Sequence, residues 1–91
     1  MTDDLSLRRD MEKGARAKAL LEDPVLVEAF EGFEAELMTV WAATRTADTE
    51  ARERVWMAIR VLRKVKGALE TMIADGTLAK REIDEIVGRA A

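Results

Sequence analysis

Residues 23–75 read DPVLVEAFEGFEAELMTVWAATRTADTEARERVWMAIRVLRKVKGALETMIAD, and this stretch decides the fold. Asp23-Pro24 opens it as a helix start, because Asp is a favoured N-cap and Pro a favoured first helical residue. Leu26, Phe30, Phe33, Leu37, Val40 and Thr44 then recur at spacings of 4, 3, 4, 3 and 4, which is a heptad seam widened by Val27 and Trp41. Arg45-Thr46-Ala47-Asp48 interrupts the pattern, and Asp48 or Thr49 can cap the next helix. Val55, Ala58, Leu62, Val65, Leu69 and Met72 follow at 3, 4, 3, 4 and 3, flanked by Trp56, Ile59 and Ile73. Two matched seams joined by a short loop predict an antiparallel helical hairpin.

Working outward, Leu7, Met11, Ala15, Lys18 and Leu21 give an imperfect apolar stripe ahead of the hairpin, weakened by Gly14. Beyond it, Gly76 reads as a left-handed helix stop and Thr77 as the cap of a short last helix carrying Leu78, Ile83, Ile86 and Val87. The expectation is an all-α chain, one helical domain over residues 1–91, with helices near 6–22, 24–44, 48–75 and 78–88. This is a hairpin with a shorter helix at each end, forming a small bundle. At 91 residues its core is thin, so stability gained from partners is expected.

Composition narrows the chemistry. The chain has no His, Cys, Tyr, Asn or Gln, and its one serine is Ser6. Without His, the usual general base and the usual activator of a nucleophile are both missing. Catalysis is therefore not expected, nor is a cofactor. Asp75-Gly76 with Glu82 mimics the second half of a calcium loop, but Thr71 and Ile73 fall where two carboxylates are needed, so no metal is expected. The longest uncharged run, Leu37 to Thr44, is too short to span a membrane, and the acidic start Met1-Thr2-Asp3-Asp4-Leu5 is not a secretory signal.

Charge is segregated although the net is only −3. Residues 22–36 carry six acids and no base; residues 45–67 carry seven bases against three acids. The first expectation is ion pairing between neighbouring antiparallel helices, and the second is pairing between subunits. Arg60, Arg63 and Lys64 share one helix face. Adenine-reading Asn and Gln are absent, and a duplex would meet the acidic helix as well, so these bases point to protein contact and not to nucleic acid. Leu69 to Gly88 could form a helix-turn-helix, but Glu82, Asp84 and Glu85 in its second part repel phosphate. Trp41 and Trp56 lie near the hairpin's closed end, where one indole is expected to stay exposed as a partner anchor. Glu28, Glu31 and Glu34 share a helical side and could imitate phosphate spacing. These eight residues are the candidate partner-binding set.

Three stretches carry a resemblance: Leu20-Leu21-Glu22-Asp23-Pro24 with Ala29-Phe30, Trp41 through Asp48-Thr49-Glu50-Ala51-Arg52-Glu53-Arg54, and Ala74-Asp75-Gly76-Thr77-Leu78-Ala79. With them, over roughly residues 14–80, the chain resembles small proteins of tailed phages and prophages encoded near head-assembly and packaging genes. The resemblance implies a morphogenesis role, as a virion component or a packaging accessory such as a small terminase subunit; it assigns no functional residue. The expected function is helix-mediated docking on itself or on a larger virion protein, in the virion or the host cytoplasm. The alternative is an inhibitor or regulator of a host protein or nuclease.

Overall fold

The computed structural model describes residues 4–90, and over these the chain is three helices with no strand. They are α1 (Asp4–Glu22), α2 (Pro24–Ala43) and α3 (Thr49–Ala90). A single residue separates α1 from α2. Asp23 stands in extended geometry, as the proline after it requires, and its carboxylate accepts from the amides of Val25 at 2.8 Å and Leu26 at 3.2 Å. Thr44 closes α2, its hydroxyl donating to the Trp41 carbonyl at 2.6 Å. Asp48 opens α3 by accepting from the Ala51 amide at 3.1 Å, so Asp48 and not Thr49 is the cap.

The residues group into two compact units. One comprises α1 with the part of α3 from Ala68 onward; the other is Asp23–Gly67, holding α2 and the first part of α3.

In the first unit α1 runs antiparallel to α3, with Asp10 opposite Gly76 and Gly14 opposite Met72. The two backbones come close enough that a Cβ on Gly76 would lie 2.9 Å from the Asp10 carbonyl oxygen and 3.0 Å from the Gly14 Cα. A Cβ on Gly14 would lie 2.8 Å from the Met72 carbonyl oxygen. Leu7, Gly14, Ala17, Gly76 and Ala79 are buried along this contact zone. The covered face of α1 includes Leu7, Asp10, Met11, Gly14, Ala17 and Leu21, so Leu7, Met11 and Leu21 of the expected stripe lie on it, whereas Ala15 and Lys18 are exposed.

This packing corrects the expected helix count. α3 continues through residues 75–78 without a break, no described glycine has positive φ, and there is no separate helix at 78–88. Gly76 serves the close approach of α1, not a left-handed turn. Thr77 does not cap a helix either: its hydroxyl donates to the Ile73 carbonyl one turn back, at 3.0 Å. With the turn gone, Leu69 to Gly88 is not a helix-turn-helix, and the half calcium loop lies inside a continuous helix.

In the second unit the hairpin forms as the two seams predict, but α2 is rotated. Leu26, Val27, Phe30, Glu34, Leu37, Trp41 and Thr44 are its partly covered residues, and none is fully buried. Phe33 and Val40, expected inside, are 50% and 47% exposed. Glu34 and Trp41 take the inward positions because each has a partner on α3. Across the pair, Ile59 is fully buried.

The glycines separate these causes in a denaturant titration. Gly76→Ala meets backbone atoms of α1, so it is expected to destabilise by about 1–3 kcal/mol despite its better helix propensity. Gly32→Ala meets nothing within 4 Å. It should stabilise by about 0.5–1 kcal/mol. Equal shifts of one sign would contradict the close backbone approach.

Candidate functional site

Among the described residues no polar or charged side chain is buried, and no group of three or more His, Cys, Asp or Glu could hold a metal ion. Among the same residues no helix is long and apolar enough to cross a membrane. What distinguishes the unit Asp23–Gly67 is its surface.

One edge of the hairpin is sealed. At the closed end the Arg52 guanidinium lies 4.0 Å over the Trp41 ring and donates to the Thr44 hydroxyl oxygen at 3.3 Å. About two turns further along α2 and three along α3, Arg63 grips Glu34, with Nε at 2.9 Å and Nη2 at 2.8 Å from the same carboxylate oxygen. The pair follows from the opposite charges of the two helices, and it sits in the hairpin itself. Other ion pairs, Lys18–Glu22, Arg54–Glu50 and Arg89–Glu85, lie within single helices.

The structure therefore divides the eight candidate residues. Glu34, Arg63 and Trp41 are engaged inside the hairpin. Trp56 is 46% exposed, with the Arg63 guanidinium 5.9 Å from its ring. Arg60 and Lys64 are exposed beside it, and with Met57, Val61 and Arg63 they line an open depression on α3. Glu28 and Glu31 are exposed on α2, apart from the engaged Glu34.

Sequence reasoning missed Arg52, and it missed that Phe33, Val40, Met57, Val61 and Val65 would be exposed. The signal for Arg52 was present: Trp41 and Arg52 lie equally far from the loop's midpoint, and such residues face one another in an antiparallel hairpin. Exposure of the apolar set was not readable, because a heptad pattern does not state which neighbour covers it.

Removing either seal should have a small effect. Arg63→Ala breaks a partly exposed ion pair and should cost no more than about 1 kcal/mol. Arg52→Ala should cost about 0.5–1 kcal/mol through the lost stacking, and shift Trp41 emission in a Trp56→Phe background. A loss above about 3 kcal/mol in urea unfolding for either variant would mean that the edge is buried more deeply. The chain matches no protein family, and no curated protein or solved structure is significantly similar to it.

Proposed function

We propose that this is a non-catalytic docking protein that works by packing its helices against a protein partner, as a structural or assembly component of a tailed-phage particle. The observation that carries the docking part is the scarcity of burial. Among the described residues the buried apolar side chains are Leu7, Ala17, Ile59 and Ala79, while Phe33, Trp56, Met57, Val61, Val65 and other large apolar residues stay exposed. Apolar surface left in water on this scale marks an interaction site. The phage assignment rests on the three sequence stretches quoted above.

The alternative, an inhibitor presenting phosphate-like carboxylates from α2, is less favoured because Arg63 holds one of its three acids, Glu34. Nucleic acid is also disfavoured as a partner. The bases of α3 stand beside the carboxylates of α2, and both fields are screened over about 8–10 Å at physiological salt.

Mass spectrometry of purified particles tests the assembly role: the chain should be present in fixed proportion to the other virion proteins. Absence from particles would remove the structural reading and favour the inhibitor. Duplex binding at about 50 and 200 mM salt tests the partner class. Weak binding is expected, little changed by replacing Arg60, Arg63 and Lys64 with Ala. Tight binding that falls steeply with salt and is lost in that triple variant would make the partner DNA.

A further inference from the structure

The hairpin's second edge differs from its sealed one. Successive helical residues are about 100° apart, so Phe33 and Val40, each one residue before Glu34 and Trp41, lie on the opposite side of α2 from the sealed edge. On α3, Val55 and Leu62 are about 80–100°, and Ala58 and Val65 about 140–160°, round from Arg63 in the same backward sense. In an antiparallel pair, backward rotation from a shared edge leads to the same side on both helices. Phe33, Val40 and Val65 therefore form one exposed apolar face, with the partly covered Val55 and Leu62 at its floor. The seams still meet in the hairpin through Leu26, Phe30, Leu37, Val55, Ala58 and Leu62, which are partly covered, while the rotation of α2 leaves Phe33 and Val40 on one side of it.

We propose that a second copy of this chain covers that face, hairpin on hairpin, with α2 of one protomer over α3 of its partner in a two-fold four-helix bundle. The proposal rests on the docking reading and names its partner. Three features fit a second copy. First, both seams follow the same heptad rule, over α2 and over residues 49–67 of α3, so the face can pack on itself. Second, α2 carries four acids and no base, whereas residues 49–67 carry six bases and two acids, a net of +4. A two-fold axis parallel to the helices sets each −4 helix α2 over the +4 segment 49–67 of its partner's α3; crossing α2 on α2 would set like charges together. Third, the 20 residues of α2 span about 30 Å and two adjacent helices about 20 Å, a face of about 600 Å² before side-chain relief is counted. Stable interfaces bury about 800 Å² per partner, which is the same scale.

Light scattering on the purified full chain should give about 20 kDa, twice the 10.2 kDa of one chain. Phe33→Glu and Val65→Glu change residues that are half exposed within the chain, so its own packing tolerates them, but each would bury a carboxylate in the bundle. Each should weaken dimerisation by about 100-fold or more. Met38→Glu, toward the sealed edge, should not. Should the glutamate variants unfold rather than dissociate, the native chain still reports: its thermal midpoint should rise over a roughly 100-fold concentration range. The chain has no cysteine, so single substitutions give clean crosslinks. Phe33→Cys mixed with Val65→Cys should form a disulfide-linked pair in preference to Phe33→Cys alone. A self-crosslink dominating at position 33 would overturn the α2-over-α3 arrangement. A folded monomer whose midpoint ignores concentration would overturn the second copy, while the docking reading would still be decided separately by the composition of the particle.

Discussion

Each compact unit is a single pair of helix segments, so within a unit each segment buries one stripe against one neighbour. Burial is the constraint on which everything else depends. In a larger domain a helix packs against several others, and its apolar positions can be spread widely. Here a stripe one residue out of register is exposed outright, as Phe33 and Val40 demonstrate.

The two units meet this constraint in different ways. The first brings backbones together. Gly14 and Gly76 remove the side chains that would hold α1 and α3 apart, and the buried Ala17 and Ala79 keep the rest of the contact shallow. Close approach maximises dispersion contact per residue but tolerates no added atom. The second unit uses large side chains and leaves gaps. Ile59 is its fully buried residue, and the stacked Arg52–Trp41 and paired Arg63–Glu34 close one side only. Exposed ion pairs contribute little net free energy. They go instead with the way α2 is turned, and so with which apolar residues face outward.

That rotation links packing to function. If α2 turned its Phe33 and Val40 inward, Glu34 and Trp41 would leave the seam and the hairpin would be a self-contained pair with a polar outside. Turned as it is, the hairpin pairs Glu34 with Arg63 internally and leaves Phe33 and Val40 exposed. A helix pair with few buried contacts also opens locally at low free energy. A partner that covers the apolar face would therefore stabilise the pair as well as bind it.

The sequence by itself determined the all-α class, the hairpin and the cap at Asp23, and narrowed the cap of α3 to Asp48 or Thr49, because heptad spacing, Pro24 and short polar side chains act locally. Residues 78–88 were legible as helical for the same reason. Only the tertiary structure decided that they continue α3. A glycine after a helical run permits either a left-handed stop or a close helix crossing, and the choice at Gly76 depends on α1, more than 60 residues away in sequence. The place of Gly14 and Ala17 on the face of α1 was equally hidden, since they carry no apolar signal. The rotation of α2 goes with the Arg63–Glu34 and Arg52–Trp41 contacts, which exist only once the two helices pair.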